Sequence, residues 1–339
     1  MPPATLTLPS RRAVLSTTGA LGLGALLTAC GGERRDGGGA GGGRWSFTDD
    51  RGREAKADHR PERVVAFTGA AATLHDLGVD RRLVGVFGET KQANGQADPG
   101  AGDLDVDSVE IVGNAWGEFN VEKYAGLRPD LLVTHMFDKG ALWYVPDESR
   151  EKILRVAPSV AITTGRVPIT EPIERYAELA GALGADLKAE KVTRAKARFE
   201  KAAENLRRTA RGSGIRVMAA SGAPDTFYVS SPKVNSDLIY FRQLGVDLVQ
   251  PDDVEQGGYF ESLSWENADK YQADLIILDN RTASLQPNDL KSKPGWRNLP
   301  AVHAGQVVEW DAVPRFSWAG FAPTLEALSR AIGDAKKVA

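Results

Sequence analysis

The chain has a single cysteine in 339 residues, so no internal disulfide can hold the fold together and a buried core must do it. Histidine is nearly as scarce. The four copies, at positions 59, 75, 135 and 303, form no His-x-x-x-His pair and have no cysteine partners, which excludes a zinc site of ordinary spacing. There is no Gly-x-Ser-x-Gly and no Gly-x-x-x-x-Gly-Lys-Ser/Thr, so the signatures of serine-hydrolase and P-loop chemistry are missing. Neither charge sign dominates. Against 45 acidic residues stand 42 basic ones, a net charge of −3, which gives no general electrostatic reason to seek nucleic acid. Long apolar runs are also lacking. The longest, Ala13 to Leu27, falls short of the ~20 residues that span a bilayer as a helix.

What is present begins with the surroundings of Cys30. Ser10-Arg11-Arg12-Ala13-Val14-Leu15 supplies a positive flank, and the apolar run after it has the length of a signal-peptide core. Leu27-Thr28-Ala29-Cys30 resembles a bacterial lipobox, in which the cysteine sulfur is acylated. A buried structural thiol and a catalytic nucleophile are the competing readings of Cys30, and its flanks favour the lipid. Ser-Arg-Arg-x-Val-Leu also resembles a twin-arginine export signal, with an ordinary Sec signal as the alternative. Gly31 to Gly43 holds eight glycines in thirteen residues. Such a segment is a flexible tether with a reach of ~20 Å. Two acyl chains, one on the thiol and one on the new N-terminus, would give stable anchoring. The expected location is the extracytoplasmic face of the cell membrane. Cleavage before Cys30 removes two arginines and no acid, leaving a net charge of −5.

Beyond the tether, strand-length apolar runs recur at Arg63–Phe67, Leu83–Val86, Asp130–Thr134, Ser159–Thr163, Ile215–Ala219, Leu275–Leu278 and Gln306–Trp310. They are apolar on both faces, and helical stretches such as Ala71–Leu77, Arg150–Val156 and Pro172–Leu183 lie between them. That alternation predicts α/β architecture with parallel sheets covered on both sides. Trp45 to Arg53, turning at Asp50-Arg51-Gly52, predicts a short hairpin before the first lobe. Between the halves, Val192, Ala195, Phe199, Ala202 and Leu206 are spaced 3, 4, 3, 4, one apolar stripe on a helix over 187–210. At 1.5 Å per residue that helix would span about 36 Å, enough to bridge two lobes.

Two short matches recur in the same order. Glu122 and Glu266 each precede an aspartate, Asp130 and Asp274, by eight residues, and each aspartate opens a buried strand. Leu77-Gly78-Val79-Asp80 recurs as Leu244-Gly245-Val246-Asp247. Each half is therefore expected to carry a related lobe. The chain divides into a signal peptide over 1–29, Cys30 with its tether to 43, an N-terminal lobe over 44–186, a linking helix over 187–211 and a C-terminal lobe over 212–339.

The stretches PERVVAFTGAAATLHDLGVDRRLVGV, FNVEKYAGLRPDLLVTH, LSWENADKYQADLIILDN and NLPAVHAGQVVEW follow one another across both lobes. In that order, behind a lipobox, the chain resembles the helical-backbone substrate-binding proteins of iron-siderophore and cobalamin ABC importers. The resemblance implies two Rossmann-like lobes joined by one long helix, with ligand in the cleft between them. It implies no enzymatic activity and no cofactor. The bound species would be cargo, an iron(III)–siderophore complex. It also implies a monomer that docks by a glutamate on each lobe, here Glu122 and Glu266, onto a permease dimer driven by cytoplasmic ATPases. Charges so placed govern orientation and on-rate more than affinity. Each glutamate is equally a helix-start acid favoured by the helix dipole.

Ligands of open α/β sheets sit beyond the carboxyl ends of the strands. Those loops carry Trp116, Phe137 and Trp143 in the first half and Tyr228, Tyr259, Arg281, Arg315 and Trp318 in the second. Arg242 lies on a helix able to face the cleft. Rings would cover the apolar linkers of a chelate, and guanidinium groups would donate to its oxygens. No set of ligands for a bare metal is present. Hydroxamate cargo is favoured. Cobalamin or haem on the same scaffold is the first alternative, with Tyr228, Tyr259 and His135 as possible axial ligands to haem. A lipid-anchored enzyme is the second, with Asp279 and Asp311 as a possible carboxylate pair.

Overall fold

The computed structural model describes residues 43–339. Cys30, the expected export signal and most of the expected tether lie outside the described residues. The chain opens with a hairpin, β1 (Trp45–Thr48) and β2 (Glu54–Ala57). Its turn is pinned to the first lobe by Asp49, whose carboxylate accepts from the Arg51, Arg53 and Ala161 amides.

The first lobe follows as β3 (Val64–Phe67), α1 (Thr68–Asp76), β4 (Leu83–Phe87), β5 (Glu110–Gly113), α2 (Val121–Gly126), β6 (Leu131–Met136), α3 (Arg150–Val156), β7 (Ser159–Thr163) and α4 (Thr170–Ala182). Its sheet is wholly parallel, in the order β5-β4-β3-β6-β7. All residues of β3 and β6 are buried, as strands covered on both faces must be.

The helix α5 (Glu190–Ala210) then leads into the second lobe. Its 21 residues span about 31 Å, and Val192, Phe199, Ala202 and Leu206 are buried as the stripe predicts. The second lobe contains β8 (Arg216–Gly222), β9 (Phe227–Ser230), α6 (Ser236–Gln243), β10 (Asp247–Leu248), β11 (Phe260–Leu263), a 3-10 turn at Trp265–Lys270, β12 (Leu275–Asp279), the short helices α7 (Pro287–Leu290), α8 (Pro294–Arg297) and α9 (Pro300–His303), and β13 (Val307–Trp310). A C-terminal helix, α10 (Trp318–Asp334), ends the fold. This sheet is mixed. β8 pairs in parallel with β12 and β10, and β13 in parallel with β12, while β9 pairs antiparallel with β8 and β11 antiparallel with β9. β9 (Phe-Tyr-Val-Ser) and β11 (Phe-Glu-Ser-Leu) have four residues each and include polar side chains, so neither forms a long apolar run.

α5 is not alone. α10 lies along it, with Phe321 near Phe199, Glu326 paired bidentately with Arg198 and Ser329 bonded to Thr209. One apolar core runs from the first sheet through α5 and α10 to one face of the second sheet, and a smaller core fills that sheet's other face.

The internal repeat has a structural meaning. Asp130 Oδ2 accepts from the amides of Glu62 and Arg63, just before β3, and Asp274 Oδ2 accepts from the Arg216 amide, at the start of β8. Gly78 and Gly245 both have φ near +95°, at +92° and +98°. In each copy the next residue reaches back five positions, Val79 to Leu74 and Val246 to Phe241, which closes α1 and α6 with the same Schellman geometry.

Candidate ligand-binding cleft

In both sheets the strand order reverses beside the first strand of the lobe, β3 in one and β8 in the other. A crevice forms at such switch points, beyond the carboxyl ends of the strands. Here it is a cavity of about 430 Å³ lined from both lobes. Phe137, Asp138 and Trp143 come from the loop after β6, and Ser221, Asp279, Arg281 and Ala312 come from the ends of β8, β12 and β13. Tyr228, Asn235, Tyr259 and Phe260 close the other side.

Its aromatic wall is continuous. Trp116, 66% exposed at the rim, meets the edge of Trp143 at 5.0 Å between centroids. Trp143 meets Phe137 at 4.7 Å, and Phe137 meets Tyr259 at 6.5 Å. The chain of rings thus crosses from one lobe to the other. Trp143 is held by its own backbone: its amide donates to the His135 carbonyl and its carbonyl accepts from Thr134 Oγ1. Trp116, Trp143 and Tyr144 also wall a side recess of about 350 Å³ beside the main cavity.

The polar floor is acidic. Arg281 is the cavity's only arginine, and both oxygens of buried Asp279 hold it, at 3.0 Å from Nε and 2.7 Å from Nη2. Glu89 faces that pair from the first lobe, and burial raises its pKa above the usual carboxylate range. Burial also pushes Asp311 up to about 6, with the Asp279 charge adding to the rise. Asp138 is paired with Arg166 at 3.0 Å.

Hydrogen bonds cross between the lobes on both rims. Tyr259 Oη donates to the Phe137 carbonyl at 2.8 Å, and Arg166 joins Asp138 to the Gly257 carbonyl. On the other rim Thr282 Oγ1 donates to Asp98 at 3.1 Å. Burial and the nearby Asp138 charge push the Tyr259 phenol up to about 12.

Six of the nine expected cleft residues come together here: Phe137, Trp143, Tyr228, Tyr259 and Arg281 line the cavity, and Trp116 lines the adjoining recess. Three stand elsewhere. Arg315 is spent on Asp76 of α1, at 3.0 and 3.1 Å, and covers Gly102, where a Cβ would sit 2.4 Å from its guanidinium. Trp318 packs at the start of α10 beneath Lys196. Arg242 is exposed on α6, and its nearest acceptor is the Pro232 carbonyl at 3.4 Å. Sequence reasoning missed Ser221 and Asn235, which belong to no aromatic or arginine-rich loop, and Asp138, which follows Phe137 in the aromatic loop after β6.

His135 is fully buried among Phe67, Phe137, Tyr176 and Phe316, with Nδ1 2.6 Å from the Tyr176 hydroxyl. Burial lowers its pKa to about 3, so it is neutral and out of reach of a ligand in the cleft. Asp279 is committed to Arg281 and cannot work as half of a hydrolytic pair. Glu122, in the first turn of α2, and Glu266, in the 3-10 turn, are both exposed. Among the described residues neither forms an ion pair.

A family model described as periplasmic binding protein matches residues 64–314, spanning both sheets and α5. The chain belongs to that family. Its members are extracytoplasmic solute-binding components of ABC importers, which removes the enzyme reading. The chain is similar to the crystal structure of DesE, a ferric-siderophore receptor protein from Streptomyces coelicolor, with 51% identity and a TM-score of 0.84. That match covers 87% of this chain and all of DesE. It is 24% identical over 209 residues to the iron(3+)-hydroxamate-binding protein FhuD of Bacillus subtilis, covering 60% of this chain and 62% of that protein. Petrobactin-binding protein YclQ of Bacillus subtilis shares the fold, with 20% identity, a TM-score of 0.62 and coverage of 86% of this chain and 98% of that one.

Proposed function

We propose that this periplasmic binding protein captures a ferric siderophore of the hydroxamate class and delivers it to an ABC permease. The observation that carries the ligand class is the acidic floor of the cleft. Arg281 is already neutralised by Asp279, and its charge is shared further with nearby Glu89 and Asp311, which form no ion pair among the described residues. A ferric citrate or catecholate complex would bring further negative charge into this low-dielectric site, which costs free energy. A neutral or cationic hydroxamate complex brings none. Its apolar linkers would lie on Trp116, Trp143, Phe137, Tyr228 and Tyr259, and Arg281 Nη1 would donate to its oxygens. The iron is already wrapped by the chelate and needs no protein ligand. The similarity to DesE and FhuD supports this reading.

Delivery would use Glu122 and Glu266 as a two-point contact with a permease dimer powered by cytoplasmic ATPases. Cys30 would be the lipid anchor, with the tether to 43 and lobes over 44–186 and 212–339 on either side of the linking helix. The paired helices α5 and α10, with the hydrogen bonds on both rims, favour a small closure on loading. The test is tryptophan quenching by ferric hydroxamates, ferric citrate, haem and cobalamin in parallel. Saturable quenching by a ferric hydroxamate alone is expected. Quenching only by haem or cobalamin would replace the cargo.

A further inference from the structure

The outer surface of α5 stands apart from the rest of this acidic protein. The helix carries seven basic and three acidic residues, while the whole chain has a net charge of −3. Lys188 before it and Arg211 after it, both exposed, extend the positive run. The charges are ordered. Arg194, Lys201 and Arg208 are exposed and recur every seven residues, so they lie on one line, about 10 Å apart, opposite the buried stripe of Phe199 and Leu206; Glu190, paired with Arg194, and Glu204, paired with Arg207, offset part of that charge. At the end of that line Arg208 borders a shallow groove of about 360 Å³ with Asn205, Thr209 and Ser329, all hydrogen-bond donors and none a carboxylate.

The fold brings the start of α5 close to the first described residues. The Trp45 indole donates to the Ala182 carbonyl at 3.0 Å, and Leu187, three residues before α5, packs near the neighbouring Gly181. The expected tether, of ~20 Å reach, joins the chain just before Trp45, so a helix that starts near Trp45 and has a basic outer line is placed to meet the surface to which an anchor at Cys30 would lead.

We propose that the outer face of α5 binds the surface of a bilayer containing anionic phospholipid, with Arg194, Lys201 and Arg208 against the headgroups and the Arg208 groove holding a phosphate. The site is separate from the ligand cleft and does not depend on which chelate the cleft carries. Attraction of each basic side chain to an anionic surface adds to the next and fades within a Debye length, so binding must weaken with salt.

Residues 43–339 contain the whole described core within one compact unit, so they serve as the test protein without leader or lipid. Sedimentation with phosphatidylglycerol-containing vesicles is compared with sedimentation with phosphatidylcholine vesicles, at low and high salt. Salt-sensitive binding to the anionic vesicles alone is expected. Arg194→Glu/Lys201→Glu/Arg208→Glu, checked for an unchanged melting curve, is expected to weaken it about 100-fold or more. Equal binding by the triple variant, equal binding to both vesicles, or no vesicle binding would overturn the proposal. Binding to soluble poly(glycerol phosphate) without vesicle binding would assign the surface to an anionic polymer and also overturn it.

Discussion

Arg281 and Asp279 form a closed pair, with Nε and Nη2 of the guanidinium on the two oxygens of a carboxylate that is 1% exposed. The pair sits at the carboxyl end of β12, between β8 and β13, so it fixes the floor of the cleft and cancels the charge of the arginine that lines it. Arg281→Gln would leave Asp279 buried without a counter-charge, at an expected cost of about 3–5 kcal/mol. Asp279→Asn/Arg281→Gln removes both charges and should cost clearly less. Urea unfolding of the two variants beside the parent measures the difference.

Asp237 lies fully buried in α6 and accepts from the Trp310 indole at 2.6 Å. Burial pushes its pKa up to about 7, although the indole bond works against the rise. An unfolded aspartate loses its proton near pH 3.9. Folding therefore takes up a proton between these values, so the contribution of Asp237 is fully present below about pH 4 and lost as pH rises through about 7. Asp237→Asn should be neutral to folding in acid and stabilising by about 1–3 kcal/mol at neutral pH and above. Thermal unfolding across pH reads this directly, and a parallel offset at all pH values would contradict it.

Glu122 and Glu266 are exposed and unpaired among the described residues, so removing them should leave the fold and the cleft intact. Glu122→Ala/Glu266→Ala is expected to keep the parent affinity for ferric chelate and to lose most uptake in cells. Normal uptake with normal binding would remove the docking role.

Gly78 and Gly245 close α1 and α6 at φ of +92° and +98°. A Cβ at Gly78 would meet nothing within 4 Å, and one at Gly245 only the Arg211 Cγ at 3.7 Å. Alanine at either position should therefore cost about 1–2 kcal/mol for backbone conformation alone. The two sites lie in different lobes, so the double variant should lose about the sum. Denaturant midpoints test both statements.

The elements legible in the sequence were those whose pattern the physics makes redundant. Val64–Phe67, Leu131–Val133 and Leu275–Leu278 are apolar throughout because both faces are covered, and the stripe on α5 from Val192 to Leu206 repeats over about four turns. β5 and β11 escaped because they are short and partly polar at sheet edges, and β9, an interior strand, because it has only four residues. α10 carries a readable stripe of Phe321, Leu325, Leu328 and Ile332, but Pro323 interrupts it. The aromatic wall could be read because loops at strand ends are few and their rings are conspicuous. Arg315 could not be placed, since its partner Asp76 lies 239 residues away. Whether an arginine is free or spent depends on such distant partners, and so the charge of the cleft emerged only from the fold.

The acidic floor gives the most direct test of the account. Calorimetric titration with ferric hydroxamate complexes of similar size and net charge +1, 0 and −1, beside ferric citrate, separates charge from shape. The account predicts submicromolar binding of the cationic or neutral complex, an affinity at least tenfold weaker (about 1.4 kcal/mol) for the anionic one, and no measurable binding of ferric citrate. Tightest binding by the anionic complex or by ferric citrate would contradict it.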